Sequence, residues 1–592
     1  GLDVLAGGKL KAKQAKGQEI GTSVKTRLDQ VLNWLGPDFD GVLIFDEAHN
    51  MQNSLEQETE RGDSKPAAKA LASVTLQQKL PKARIVYASA TAASRVDALA
   101  YSDRVGLWGE GTAFASKTDF VNSIASSGLG AMEIVAQNMK AMGGYISRNL
   151  DYRDVRYRKL EHPLTDFQTE GYNEMAKMWQ VVFQNLEEAL KATGVMGVNR
   201  RGETTTKNAA AKSSALAQFW GANQRFFNQV LTSMQMPSVL EDMKKQLAAD
   251  KSILVQLVNT NESIMARQLQ NMEQSGGDLE GVDMTPLQNL IQYVESAFPI
   301  HQMEEYTDED GNTRTRLAKD SQGNPIINKE AVQMRDALIE KVTSMKVVPE
   351  GPLELILNTF GPGMVAEVTG RSERVLRIKD EEEGTTAQQR EKRSPAAVRE
   401  DVTAFMAGKK RILVFSDKGG TGESYHADKT KKNQQQRVHY LIQPGWRADK
   451  AVQGLGRSHR TNQASAPEYV LTMTNIKGHK RFISTIARRL DQLGALTKGQ
   501  RQAGSSGLID AKDNLENEYA TGAIRDFFRS LYRGKVEGMS FADITKSLGL
   551  GNLLDKDGRL IEERIPSVPQ FMNRVLALEL TQQDTLLEQF IS

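Results

Sequence analysis

The sequence predicts an α/β protein built on mostly parallel sheets, with helical insertions and a helical C-terminal region. Three observations predict it. Short apolar runs at 42–45, 84–87, 253–258, 412–415 and 438–442 have the length of buried strands. Segments with helical apolar spacing fill the intervals, the alternation that parallel strands with crossover helices require. The first run, Val42-Leu43-Ile44-Phe45, ends directly in Asp46, Glu47, Ala48 and His49, and open α/β sheets place their ligands beyond the carboxyl ends of their strands.

At 592 residues the chain exceeds one hydrophobic core, so several domains are expected. Its 76 basic and 74 acidic residues leave a formal net charge of +2. No global basic field points to nucleic acid; any such binding must come from a local groove. The absence of cysteine excludes disulfides, thiolate zinc sites and cysteine nucleophiles, and leans towards a reducing compartment. No run of about 18 apolar residues occurs, so no membrane span is expected, and no signal peptide is visible. The chain opens on Gly1 rather than Met, which suits a processed product or a truncated fragment.

In chain order, Leu28, Val31, Leu32 and Leu35 mark a helix over 26–35, and Gly36-Pro37-Asp38 turns it into the strand at 42–45. A helix over 66–80 precedes the strand at 84–87. Helical pieces follow near 94–101 and 131–142, then an alternating strand over 155–160. Apolar spacing from Phe167 to Leu190 predicts a long helix over 165–192, and the polar stretch 194–214 reads as a loop. Helices resume over 215–249 before the strand at 253–258. Asp310-Gly311 and Gly323-Asn324 suggest an exposed hairpin insertion within 306–327. A short strand is expected at 364–368, a charged and mobile segment over 380–394, and an amphipathic helix over 480–493. The end is mainly helical, with Pro569 suited to a first helical turn.

Chemistry gathers in four places. Asp46 and Glu47 at a strand tip can hold a metal ion and orient or deprotonate a water; this is a Walker B arrangement in its Asp-Glu-Ala-His form. Ser89-Ala90-Thr91 ends the next strand, where hydroxyls would lie near those acids; taken alone the tripeptide reads better as a small-residue turn. Gln453-Gly454-Leu455-Gly456-Arg457-Ser458-His459-Arg460 is expected to be helical, with Gln453, Arg457 and Arg460 on one face. Arginines so placed can neutralise charge on a transferred phosphoryl group, though a solvated basic face explains the spacing equally well in isolation. Between them, Gly419-Gly420-Thr421-Gly422-Glu423 follows a strand and can aim backbone N–H groups at phosphate. It lacks the third glycine of a dinucleotide fingerprint. Lys409 to Arg411 and Lys429 to Lys432 flank that turn and are either solvated or in reach of phosphates. His162, His301 and His479 read as ordinary histidines, and Trp179, Trp220, Phe226 and Phe227 as core.

The order of these motifs resembles superfamily 2 helicases and translocases, and more narrowly the strawberry-notch family of helicase-like ATPases. The narrower likeness is carried by Lys25-Thr26-Arg27-Leu28, Gln224-Arg225-Phe226-Phe227, Val365 through Arg371, Thr421 through Asp428, Gln453 through Gln463, Arg488-Arg489-Leu490, Leu493 through Thr497, and Phe571 through Leu576. The resemblance implies two RecA-like lobes with ATP and Mg2+ in the cleft and nucleic acid, DNA before RNA, across the top. It implies that Asp46 helps hold magnesium and Glu47 activates water, and that His49, Ser89 and Thr91 couple hydrolysis to lobe movement. Gly420, Gly422, Glu423 and Gln453 would face the nucleotide, and Arg457 and Arg460 would reach the γ-phosphate. On that plan residues 1–160 form an incomplete first lobe, 161–250 a helical connection, 251–496 the second lobe, and 497–592 a helical region able to dock a partner.

One departure matters. Such an ATPase needs Gly-x-x-x-x-Gly-Lys-Ser/Thr before the acid box. Gly7-Gly8-Lys9 is followed by Leu10, and Asp3 stands where the first glycine belongs. Truncation, a separate polypeptide and a degenerate, non-catalytic scaffold all remain open, and this chain alone is expected to be inactive. The cysteine count and lack of a nuclear signal lean towards a cytoplasmic protein of bacterial, phage or plasmid origin.

Overall fold

A computed structural model describes residues 26–479 and 519–591, apart from 53, 55–56, 60–61, 65, 90–95, 147–153, 199–203, 259, 261, 276–284, 308–312, 346–348, 380–385, 417–422, 444–452 and 537. The helix expected over 480–493 lies outside the described residues. The chain divides into two compact units, one of residues 1–153, 447–453 and 486–506, the other of 154–446, 454–485 and 507–592.

In the first unit, Thr26 caps the helix Arg27–Leu35. Its hydroxyl accepts the Asp29 N–H at 3.1 Å while the Asp29 carboxylate accepts the Thr26 N–H at 2.9 Å, a reciprocal box. Strands β1 (Val42–Phe45) and β2 (Arg84–Tyr87) pair in parallel, Val42 opposite Arg84 and Phe45 opposite Tyr87. The helix Ala68–Lys79 contributes Leu76 to a core with Phe45, Ala48, Met51, Leu80, Ala83 and Tyr101. A second small core joins Phe120 and Ile124 to Met132, Val135 and Met139, across the helices Lys117–Ser126 and Gly128–Ala141. The first of these helices is not evident from apolar spacing; Ser116 caps it by accepting the Asp119 N–H.

The second unit is built on strands β3 (Arg156–His162), β4 (Ser252–Leu257), β5 (Val365–Val368), β6 (Ile412–Ser416), β7 (Arg437–Leu441) and β8 (Glu468–Thr474). Among the described residues they form one sheet in the order β5-β6-β4-β7-β8-β3, every neighbouring pair parallel. The expected α/β class with parallel sheets therefore holds. β4 to β8 are buried at every position, the central strands because both faces of a parallel sheet are covered and β5 even though it lies at the sheet's edge. The strand expected at the end of the first region is instead the edge of this sheet. Arg158 pins it there, its Nη2 2.8 Å from Asp242 and its Nε 2.9 Å from Glu468. The segment expected to be charged and mobile contains a strand, Thr386–Lys392, paired antiparallel with Glu373–Lys379; Arg374–Glu391 and Arg390–Glu373 ion pairs bind one strand to the other. Within the expected loop 194–214 a short hairpin forms, Met196–Val198 with Thr204–Thr206, before a helix begins at Ala209.

Helices Asp166–Ala192, Ala209–Met234 and Leu287–Ala297 pack around Trp179, which is fully buried against Phe219, Phe226, Phe227 and Tyr293. The aromatics read as core are core. The last described helices, Ala520–Tyr532, Phe541–Ser547, Val568–Val575 and Leu580–Ile591, close their own core around Phe528, Phe571 and Leu587.

Candidate nucleotide site

The first unit carries the acid box. Parallel pairing brings the ends of β1 and β2 side by side, and the Ala48 N–H donates to the Ala88 carbonyl at 2.9 Å. Asp46 and Glu47 are exposed at this tip, and His49 is buried. Glu47 adopts a left-handed backbone, φ 51° and ψ 47°. For a non-glycine residue that costs about 1 kcal/mol or more. Three contacts hold it: the Glu47 N–H donates to Asp46 Oδ1 at 2.9 Å, and the Glu47 carbonyl accepts from Asn50 N at 2.9 Å and Asn50 Nδ2 at 3.1 Å. The resulting turn points the chain back over the strand tip. There His49 Nδ1 stands 3.0 Å from Ser89 Oγ and 3.2 Å from Glu47 Oε2. Gln453, which belongs to the same unit, places its amide nitrogen 3.3 Å from His49 Nε2. An amide N–H donating there leaves the imidazole proton on Nδ1, towards the carboxylate and the serine. Asp46, Glu47, His49, Ser89 and Gln453 thus form one connected cluster. Thr91, Gly420 and Gly422 lie outside the described residues.

The second unit carries the arginines. The expected single helical face is not formed: residues 453–455 are helical, 456–458 turn, and Arg460 leaves the turn exposed. Gly454, in the helical part, lets the backbone approach β4: a Cβ there would stand 2.2 Å from the buried Gln256 side chain. The turn is held from beneath. Buried His439 of β7 places Nδ1 2.8 Å from Ser458 Oγ, the Ser458 hydroxyl donates to the Leu455 carbonyl at 3.0 Å, and Tyr469 of β8 donates to the same carbonyl at 2.8 Å. Burial pushes the His439 ring down to about 3, so it stays neutral. Arg457 donates from Nη1 to the Glu423 carbonyl at 2.6 Å, and its own carbonyl accepts the Tyr425 N–H at 2.7 Å. Glu423 therefore meets the arginine turn through its backbone. Gln463 Oε1 accepts the Arg460 N–H at 3.2 Å.

Gln256, His439 and Tyr469 were not legible as site residues, because nothing in their local sequence marks them. A further buried group caps β5: Thr369 donates to Glu367 at 2.7 Å, and Arg371 donates to the Thr260 carbonyl at 2.7 Å while pairing with Glu354. His162 is an ordinary histidine, bonded to Ser238 and Gln168.

Two family models match the chain. Residues 9–174 match "P-loop containing NTP hydrolase pore-1", and residues 351–592 match "C-terminal domain on Strawberry notch homologue". Strawberry notch homolog 1 of Rattus norvegicus is 32% identical, over 97% of this chain and 50% of its own length. The chain belongs to the strawberry-notch family. Strawberry notch homolog 2 of Homo sapiens is 31% identical over 97% of this chain and 46% of its own, and FORGETTER 1 of Arabidopsis thaliana 28% over 96% and 53%. The chain spans about half the length of the curated relatives it matches. As a member of this family it has helicase-like, P-loop NTPase domains. A solved Sulfolobus solfataricus SWI2/SNF2 ATPase core in complex with dsDNA aligns over 79% of this chain and 69% of its own at 14% identity, but its TM-score of 0.23 is too low to carry weight. The expectation of a bacterial, phage or plasmid protein is overturned, because these curated relatives come from animals and a plant; their names state no location. Among the described residues no helix is long and apolar enough to cross a membrane.

Proposed function

We propose that the chain is part of an ATP-dependent nucleic-acid translocase or helicase, with Asp46 and Glu47 on the catalytic side of its nucleotide site. The observation that supports this best is the Glu47 turn: a carboxylate held in a costly left-handed backbone, exposed, at the carboxyl end of a parallel strand. The oxygen donors here suit a magnesium nucleotide, with exposed Asp46 as the residue to hold the ion. Bound magnesium would supply charge neutralisation at the phosphates. Glu47 orients and deprotonates water. His49 ties Glu47 to Ser89 and Gln453, so a shift in one moves the others. By likeness to the family's motifs, Arg457 and Arg460 are assigned to supplying positive charge towards the transferred phosphoryl group. Thr91, Gly420, Gly422 and Glu423 are assigned to nucleotide contact by likeness to the family's motifs.

A second reading is a non-catalytic scaffold that keeps the fold; it applies only if no phosphate loop is joined to these 592 residues, which themselves contain no Gly-Lys-Ser/Thr triplet. The test therefore compares this chain with a longer one that carries a phosphate loop. The longer chain hydrolyses ATP faster with nucleic acid present, and Arg460→Ala lowers its kcat by about 10³. Failure of nucleic acid to stimulate hydrolysis, or an unchanged Arg460→Ala rate, overturns the assignment.

A further inference from the structure

A fully buried histidine stands beneath the arginine turn, where packing alone gives no reason for one. His439 lies midway along β7, opposite Leu254 of β4 and Tyr469 of β8. An imidazole is costlier to bury than an aliphatic side chain unless its nitrogens are hydrogen-bonded. Here Nε2 has no hydrogen-bond partner among the described residues, and burial keeps the ring neutral. The ring's one hydrogen bond there joins Nδ1 to Ser458 Oγ at 2.8 Å.

The neighbouring groups place the proton in that bond. Ser458 Oγ lies 3.0 Å from the Leu455 carbonyl and 3.5 Å from Tyr469 Oη, while Tyr469 donates its own proton to the Leu455 carbonyl at 2.8 Å. A hydroxyl has one hydrogen. Both of those neighbours accept, so the Ser458 hydrogen turns towards them and its oxygen accepts from His439. The imidazole proton therefore sits on Nδ1.

The bond is relayed into the turn. The Leu455 carbonyl also accepts the Ser458 N–H at 3.2 Å, closing a turn around Arg457, whose N–H donates to the Gly454 carbonyl at 2.9 Å. Arg457 in its place holds the segment 423–425, through the Glu423 carbonyl at 2.6 Å and the Tyr425 N–H at 2.7 Å. Below, the rings of Tyr425, Phe415, His439 and Tyr469 form a row with successive centroids 5.5, 5.6 and 5.6 Å apart. Phe415 of β6 and Tyr469 of β8 lie on opposite sides of β7 in the sheet, so the imidazole is held between them.

We propose that His439 is a positioning residue for Arg457: its Nδ1–H, acting through Ser458, holds the turn that aims the arginine and braces the segment 423–425. This rests on the assignment of Arg457 to the phosphoryl group and names what keeps that arginine in place. His439 needs neither charge nor contact with nucleotide for this. A displacement of about 1 Å at a reacting group can cost about 10² in rate, and the Ser458 bond is what opposes it here.

Two measurements test the proposal. In the 592-residue chain, nitrogen NMR of isotope-labelled histidine separates the two neutral tautomers, with seven histidines to resolve. One neutral Nδ1–H ring is expected that is absent from His439→Asn and shifts in Ser458→Ala; an Nε2–H ring at that position overturns the proposal. In a longer chain carrying a phosphate loop, single-turnover ATP hydrolysis is compared among variants that urea denaturation shows to be folded. His439→Leu fills the space and removes the donor, and is expected to slow hydrolysis about 10- to 100-fold with nucleotide affinity within about threefold. His439→Asn puts an amide N–H near the Nδ1 position and should recover the parent rate to within about threefold. Ser458→Ala should match His439→Leu, and combining the two should lose little more. An unchanged rate in folded His439→Leu, or equal losses in the Leu and Asn variants, is what a purely packing role gives, and either overturns the proposal. Arg457→Ala separates the two claims. A slowed Arg457→Ala beside a normal His439→Leu overturns the positioning role alone, whereas a normal Arg457→Ala overturns the arginine assignment and the positioning role with it.

Discussion

The two units carry the same kind of structure, parallel strands ending in polar residues, under opposite conditions. In the second unit β4 to β8 are buried at every position, and the turn over 454–460 rests on buried Gln256, His439 and Tyr469. In the first unit two paired strands leave apolar side chains uncovered: Val42 is 52% exposed, Ile44 68% and Val86 47%. The acid box is therefore packed from one side, through Phe45, Ala48 and Met51, and otherwise held by its turn and its local hydrogen bonds, whereas the arginine turn rests on a sheet whose strands β4 to β8 are buried throughout. Substitutions beneath the arginine turn should cost more than substitutions on the open face of β1, where Val42 and Ile44 lie.

The comparison breaks most visibly in the hydrophobic interior. Trp179→Ala removes a fully buried ring from an aromatic cluster and should cost about 3–5 kcal/mol in urea denaturation. Ile44→Ala, on the uncovered face of β1, should stay within about 0.5 kcal/mol. Similar losses for the two would refute the contrast.

Acid should weaken the second unit next. Fully buried His439 and His479 are pushed by burial from the ordinary 6.5 to about 3 and about 4. Between those values the unfolded chain binds protons that the folded chain refuses. Their contribution to stability is complete above about pH 6.5 and declines as pH falls towards the folded values. At pH 5 each should remove about 2 kcal/mol relative to pH 7.5. His439→Gln should erase about half of that decline, read from denaturation curves at the two pH values. A smaller loss is expected in the first unit: Thr26→Ala removes one capping box and should cost about 1 kcal/mol in urea denaturation.

Legibility in the sequence follows the same division between local and distant causes. The run 42–45 with its acids was legible because strand, tip and chemistry are contiguous. The long helix ending at Ala192 was legible from its apolar period. β8 is not legible because it opens on Glu468 and contains two threonines; its acid is buried with Arg158 of β3 and Lys251, the residue before β4, paired to it. The strand Thr386–Lys392 is polar and became a strand through cross-strand ion pairs. The left-handed Glu47 is invisible in a linear reading, since nothing nearby is a glycine substitute. The continuous helix expected across Gln453 to Arg460 fails at a glycine-bearing turn whose supports, Gln256 and His439, lie far away in sequence.

The proposed hydrolysis depends most directly on Glu47 as its catalytic carboxylate. Single-turnover ATP hydrolysis by a longer chain carrying a phosphate loop tests it with Glu47→Gln, a change that keeps the side chain's size and removes its charge. A fall of at least about 10² in the hydrolysis rate is expected, with nucleotide affinity little changed. A rate within twofold of the unsubstituted chain would contradict it.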